Sequence, residues 1–184
     1  EEILLGTGGT ILQNRDFFKD ETFLVAHADN LTIFDMIDFT SYHASRPAGT
    51  EMTAMIFKTP DPHSCGIVEL DNEGIIQAFH EKVMNPPGNL ANGAVYILEP
   101  SVLKWMIGLG KKQIDFSNEV IPHFLGKLFT YQNTLYHRDI GTMKSWIDAS
   151  KDFPIMPANV KNKKAWSVIL KTEDGRLDRL INKL

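Results

Sequence analysis

Cysteine is nearly absent from this chain: Cys65 is the only one in 184 residues. A single thiol excludes a disulfide framework and a cysteine-based zinc site, and it fits a reducing cytoplasm. No apolar run approaches the roughly 20 residues of a membrane span, and no signal peptide opens the sequence. The expectation is a soluble, cytoplasmic protein. A basic excess is missing as well. The chain carries 19 Lys and Arg against 23 Asp and Glu, a formal charge of -4. That balance argues against a nucleic-acid-binding surface and leaves a free nucleotide possible as substrate. There is no initiator Met: the opening Glu-Glu-Ile-Leu-Leu-Gly-Thr-Gly-Gly-Thr reads as the middle of a protein, so a truncated chain or fragment is expected. What is plentiful is apolar surface. With 43% hydrophobic residues, the chain can bury the core of one compact domain without a disulfide or structural metal.

Short apolar runs alternate with helical patterns along the chain. Phe23 to His27 suits a buried strand of a parallel sheet, and it ends in Ala-Asp-Asn. Thr32 is a candidate N-cap for a helix carrying Phe34, Ile37 and Phe39 to Tyr42, which stops at Pro47 and Gly49. Met52 to Phe57 is another strand. Gly66 to Leu70 and Ile75 to Phe79 flank the turn Asp71-Asn72-Glu73-Gly74, which predicts an antiparallel hairpin. Gly93 to Leu98 predicts a strand, and Pro100-Ser101 opens a helix ending at Gly108. A helix over 117–125 should be distorted by Pro122; a strand over 129–136 and a helix over 142–150 follow. From 151 to 184 the chain changes character, with Pro154, Pro157 and a lysine-rich stretch before an amphipathic segment at 176–184. The expected organisation is a domain over 1–150 and a C-terminal extension over 151–184 packing on it.

Four features carry chemistry. Asp29 directly follows an apolar strand, and in open α/β sheets ligands bind beyond the strand carboxyl ends. It can hold a Mg2+ that escorts phosphates, or it can begin a loop and cap the next helix. Asp139, in Arg-Asp-Ile-Gly-Thr, stands at a second strand end. Mg2+ takes one or two carboxylates plus phosphate oxygens, so the two aspartates can share an ion. Equally, Asp139 can pair with a base or cap a turn. Gly-Thr-Gly-Gly-Thr at 6–10 opens a helix whose free amides could meet a base edge or an anion, although bare glycine clusters are more often turns. It is neither a Walker loop nor a dinucleotide fingerprint. Finally, Glu81 can accept hydrogen bonds from sugar hydroxyls while Lys82 neutralises a phosphate. Both serve one ligand only if the strand ends or bulges there; otherwise they are a solvated charge pair.

In order, Leu5-Gly-Thr-Gly-Gly, Ala28-Asp-Asn, Asp61-Pro-His-Ser-Cys-Gly66, Phe79-His-Glu-Lys82, Asn89-Leu-Ala-Asn-Gly93, Asp115-Phe-Ser and Asp139-Ile-Gly-Thr142 resemble the sugar-1-phosphate nucleotidyltransferase family over residues 1–150. The flavour is that of the mannose-1-phosphate and heptose-1-phosphate guanylyltransferases. The resemblance implies a Rossmann-like nucleotide-diphospho-sugar transferase fold, α/β, with a mixed, mostly parallel sheet and helices on both faces. It implies Mg2+ on Asp29 and Asp139, and Lys82 at the sugar phosphate. Thr7 and Gly8 would line the base, Gly66 and Asn92 the sugar, and Glu81 its hydroxyls. The substrates implied are a nucleoside triphosphate, GTP favoured, and a sugar 1-phosphate; a homodimer is plausible by analogy.

The family's N-terminal strand, its Gly-rich loop ending in Gly-Thr-Arg-Leu-Arg-Pro and the following Lys-Pro segment do not occur here. Those elements cradle the triphosphate, so this chain alone is expected to bind nucleotide poorly and turn over little. Ala28, Cys65, Val83 and Gly93-Ala94 also depart from the common pattern, which bears on substrate identity more than reaction class. Two alternatives follow. One is uridylyl or thymidylyl transfer to glucose 1-phosphate; the other is a non-catalytic subunit that senses sugar nucleotides.

Overall fold

A computed structural model of the chain describes residues 3–18 and 20–153. Helix α1 (Gly6–Gln13) and the single turn α2 (Arg15–Phe18) precede strand β1 (Phe23–Ala26). Strand β2 (Asn30–Ile33), helix α3 (Met36–Ala44) and strand β3 (Met52–Lys58) follow. Next come the hairpin β4 (Gly66–Leu70) and β5 (Ile76–Glu81), the long strand β6 (Leu90–Leu98) and helix α4 (Pro100–Gly108). A π-helical turn (Phe116–Val120) runs into α5 (Ile121–His123); β7 (Leu128–Gln132), β8 (Tyr136–Asp139) and α6 (Met143–Asp152) complete the described residues.

Six strands form the main sheet in the order β5-β4-β6-β3-β7, with β1 added on β6. Strand β6 is antiparallel to β1, β3 and β4, whereas β3 is parallel to β7. Strands β1, β3, β4 and β7 therefore share a direction that β5 and β6 oppose. This is the mixed α/β sheet that the resemblance implies. Alternation along the strands separates two apolar layers. Met52, Ala54 and Ile56 of β3 pack with Tyr96 and Leu98 of β6 against Ile11 of α1, Val102 and Met106 of α4, and Ile121 of α5. The intervening Met55, Val95 and Ile97 meet Phe39 of α3 and Tyr131 of β7. Helices thus cover both faces, and each fully buried large side chain contributes about 1.5–3 kcal/mol.

Several local expectations are corrected. Strand β1 is not a buried parallel strand: it pairs antiparallel with β6, and Leu24 is 38% exposed. Thr32 lies within β2, and the N-cap of α3 is Asp35, whose carboxylate accepts from the amides of Ile37 and Asp38. The strand expected over 129–136 is two strands, because Asn133 turns the chain by accepting from the Leu135 amide at 2.9 Å. Pro122 sits where the π turn becomes α5, as its missing N–H favours. Of the stretch 151–184, all but the first three residues lie outside the described residues.

A buried polar network ties α3 to the sheet. The His43 ring contacts Thr53 Oγ1 at 2.7 Å and Glu99 Oε1 at 2.9 Å, and Arg46 reaches the same Glu99 oxygen at 2.9 Å. Burial lowers the His43 pKa; its hydrogen bond to Glu99 opposes this and the nearby Arg46 charge adds to it. The folded protein therefore holds the ring neutral where the unfolded chain, with a histidine pKa of about 6.5, already binds a proton. Stability is full above that pH and is lost as pH falls through it. The unfolding free energy read from urea titration is expected to drop between pH 7.5 and 5.5, by up to about 1.4 kcal/mol per pH unit for this one proton. His43→Gln should make that limb shallower by this proton's share, leaving the share of His137, whose pKa burial also lowers; an unchanged pH slope in the variant would assign the limb to other groups.

Candidate active site

The loop after β1 is pinned to an irregularity in β6. Between the pairs Ala54↔Tyr96 and Ile56↔Asn92 the register slips, and Ala94 adopts a φ of 49°. This bulge turns two carbonyls toward the loop: Ala94 O accepts from the His27 amide at 3.2 Å and Gly93 O from Asn30 Nδ2 at 2.8 Å. Asn30 then starts β2, which pairs antiparallel with β8 so that Asn30 faces Asp139. The Ile140 amide donates to Asp29 O at 2.8 Å. Two aspartates 110 positions apart in sequence are thereby brought side by side.

Gly141 shows how close they are. A Cβ there would lie 3.0 Å from Asp139 Oδ1 and 3.1 Å from Asp29 Oδ2, so both carboxylates bracket a space that only glycine leaves open. The Gly141 amide donates to Asp139 Oδ1 at 2.7 Å and fixes its rotamer. Thr142 caps α6 through the Ser145 amide at 3.1 Å. Two exposed carboxylates facing one space, with no third His, Cys, Asp or Glu beside them among the described residues, are a poor site for zinc. They are the donor set that suits Mg2+, which takes its remaining ligands from phosphate and water.

Glu81 and Lys82 lie where the hairpin meets β6. Lys82 has a φ of 48° and its amide donates to Cys65 O at 3.2 Å, so the strand ends at this residue. The break swings Lys82 Nζ to 3.7 Å from Glu81 Oε1, and the two side chains can serve one ligand. Gly66 pairs with Glu81 in register, and a Cβ on it would lie 2.7 Å from Glu81 Oε2 and 2.5 Å from Phe79 Cζ. Its lack of a side chain is what lets Glu81 lie across the hairpin.

Asn92 is joined to this group by a residue the sequence did not single out. Tyr96, 1% exposed, accepts from Asn92 Nδ2 at 2.6 Å and feels the charge of Glu81. Burial, above all, raises its pKa, so the hydroxyl stays neutral. The same ring packs on Phe116 at 4.7 Å between centroids and lines a cavity of about 210 Å³ with Thr7, Thr10, Val25 and His27. Thr7 Oγ1 accepts from the Phe116 amide at 3.1 Å. Gly8 is turned elsewhere: its amide donates to Ile114 O at 2.9 Å and is not free for a ligand. His137 was also missed. It lies two residues before Asp139 on the same face of β8, and burial pushes its pKa down to about 4 against the pull of Asp139.

Paired aspartates beyond the strand ends of an α/β sheet, with a Glu-Lys pair beside a bulged strand, form an arrangement that could hold a phosphate and a sugar. The sequence profile of the nucleotidyl transferase family matches residues 1–154, and the chain belongs to that family. It is 31% identical over 156 residues to a mannose-1-phosphate guanylyltransferase of Mycobacterium tuberculosis, covering 83% of this chain and 42% of that protein. It is 28% identical over 180 residues to a glucose-1-phosphate adenylyltransferase of Fervidobacterium nodosum, covering 92% and 43%. The chain thus spans about two fifths of the length of these curated relatives. Among solved structures, HddC from Yersinia pseudotuberculosis complexed with GMP-PN superposes with a TM-score of 0.69 at 20% identity, over 84% of this chain and 65% of that one. A candidate glucose-1-phosphate thymidylyltransferase from Bacillus anthracis, in complex with a sucrose, gives 0.73 at 17% identity, over 82% and 62%. These last two likenesses bear on the fold. No helix among the described residues is long and apolar enough to cross a membrane.

Proposed function

We propose that the protein transfers a nucleotidyl group from a nucleoside triphosphate to a sugar 1-phosphate, with GTP and a sugar of the mannose or heptose type as the favoured pair. The observation that carries this is the bracketing of Gly141 by Asp29 and Asp139. A phosphate oxygen of the sugar 1-phosphate bonds to the α-phosphorus of the triphosphate as the bond from that phosphorus to the bridging oxygen of pyrophosphate breaks. Such a reaction depends on position and charge and needs no covalent intermediate on the protein. Asp29 and Asp139 would hold a Mg2+, which when bound supplies positive charge to the phosphate oxygens. Lys82 neutralises the sugar phosphate, Glu81 accepts from the sugar hydroxyls, and Gly66 and Asn92 line the sugar. Thr7, with Tyr96 and Phe116, forms the wall met by the base. The preference for GTP and mannose draws on the ordered motifs and on the printed activity of the mycobacterial relative. The lone Cys65 suits a cytoplasmic setting.

A second reading, nucleotidyl transfer to glucose 1-phosphate, draws on the glucose-1-phosphate adenylyltransferase name among the relatives. A panel of GTP, ATP, UTP and dTTP against mannose, heptose and glucose 1-phosphates, read by pyrophosphate release with Mg2+ present, separates the two. The highest rate is expected with GTP and mannose or heptose 1-phosphate. Tight binding of a sugar nucleotide without turnover on any pair would favour a sensing subunit instead.

A further inference from the structure

Asp29 and Asp139 are held in unlike ways. The Asp139 carboxylate is fixed directly, by the Gly141 amide at 2.7 Å. The Asp29 carboxylate accepts no hydrogen bond among the described residues, so its place is set by the backbone on either side of it. That backbone leads into the ribbon of β2 and β8, four-residue strands that pair with each other and not with the main sheet. A two-stranded ribbon is marginal by itself and needs fastening. At its far end Asn133 donates to Thr32 Oγ1 at 3.1 Å and Tyr136 O at 3.0 Å. At its aspartate end the side-chain fastening comes from Asn30, whose Nδ2 donates to Gly93 O at 2.8 Å and reaches Ala94 O at 3.5 Å.

The anchor is stiff. Ala94 has a φ of 49°, a conformation that a non-glycine residue keeps only where its surroundings impose it. Asn92 Oδ1 accepts from the Ala94 amide at 3.2 Å, and Ala94 O accepts from the His27 amide at 3.2 Å. Asn30 therefore grips a fixed bulge, and Asp29 lies between two residues, His27 and Asn30, that are both tied to it.

We propose that Asn30 is the positioning residue of the cation site: its side-chain amide clamps the Asp29 loop to the β6 bulge and so keeps the Asp29 carboxylate facing Asp139. The proposal rests on the metal assignment made above and adds a residue that acts through Asp29. Two like charges around Gly141 repel when no cation lies between them, and without the clamp the loop is free to yield to that repulsion. An ion would then have to draw the carboxylates together again. By linkage, a clamp that favours the ion is favoured by it in return.

The test is titration of the nucleotide-free protein with Mn2+, followed by paramagnetic resonance and counting the ion that Asp139→Asn fails to hold, for wild type, Asn30→Ala and Thr32→Val. Loss of one neutral hydrogen bond predicts about three- to tenfold weaker Mn2+ binding to Asn30→Ala. Thr32→Val is the structural control, since it removes the bond from Thr32 Oγ1 to Tyr136 O at the far end of the same ribbon. It should lower the urea midpoint about as much as Asn30→Ala and leave Mn2+ affinity unchanged. A measurement independent of any variant is the exchange of the Asn30 side-chain amide protons with water in wild type, which should slow on saturation with Mg2+. If wild type holds Mn2+ and Asn30→Ala holds it as tightly, or no more weakly than Thr32→Val, or the amide exchange is unchanged at saturation, this inference fails and the metal assignment stands. If wild type and Asp139→Asn hold Mn2+ alike, both fail.

Discussion

In a protein that also supplies the triphosphate-cradling loop, replacing Asp139 by Asn is expected to lower pyrophosphate release by about a thousandfold or more, and Asp29→Asn to do the same. The size follows from losing several kcal/mol of charge stabilisation at the reacting phosphates, each 1.36 kcal/mol being tenfold in rate. Neither change should harm the fold. An Asn at 139 keeps an oxygen to accept from the Gly141 amide, and the two carboxylates that bracket Gly141 repel one another when no cation lies between them. The metal-free variants should therefore melt no lower than wild type. Paramagnetic resonance of Mn2+ titrated into the nucleotide-free protein gives a readout separate from turnover: each variant should leave most of the ion free at concentrations that load wild type. Full activity in either variant would defeat the metal assignment. Gly141→Ala should behave like the aspartate variants although it removes no ligand, because its methyl would occupy the space between them.

How much of this was legible in the sequence depended on whether a residue's role is set by its neighbours in the chain or by distant backbone. The apolar runs that became β1, β3 and β6 were plain, as was the hairpin turn at Asp71 to Gly74, because strand and turn chemistry is local. The aspartates could be named but not joined. Their juxtaposition depends on β2 and β8, two four-residue strands whose residues are mostly half-buried, so neither gives an apolar run or a clean alternation. Thr32 looked like a cap because nothing in sequence marks β2, and the true cap, Asp35, lies three residues on. Tyr96 reads as one more apolar residue of a strand; only the bulge at Gly93 and Ala94 brings its hydroxyl onto Asn92. His137 carried a usable signal, its position two residues before Asp139 on the same strand face. The glycines at the start were legible as unusual, but their purpose was not, since it is set by a segment more than 100 residues away.

That purpose is steric, and it makes Gly9→Ala a damaging substitution. Within a helix, Gly to Ala ordinarily gains about 1 kcal/mol. Here a Cβ on Gly9 would lie 2.4 Å from the carbonyl oxygen of Lys112 and 2.9 Å from Leu5 Cβ. The obstacle is backbone, so no rotamer change relieves it, and α1 must lift away from the segment at 112–116. Overpacking of this kind costs about 1–3 kcal/mol or more, which outweighs the propensity gain. The same displacement breaks the hydrogen bonds that the Gly8 and Gly9 amides donate to Ile114 O and the one from the Phe116 amide to Thr7 Oγ1 that shapes the wall of the small cavity. Gly6→Ala should be comparably harmful: it has a φ of 73° and its Cβ would meet Ile114 O at 2.6 Å. Gly108→Ala, at the end of α4 with nothing within 4 Å of its Cβ, is the control and should hold or raise stability. Urea midpoints for the three variants decide the matter. If Gly9→Ala stabilises as Gly108→Ala does, the Gly-Thr-Gly-Gly run is free of packing duty and its amides return as candidates for the nucleotide. If it destabilises as expected, Thr7 is the residue of that run left to face a base, and the glycines serve it by letting α1 sit close enough to present it.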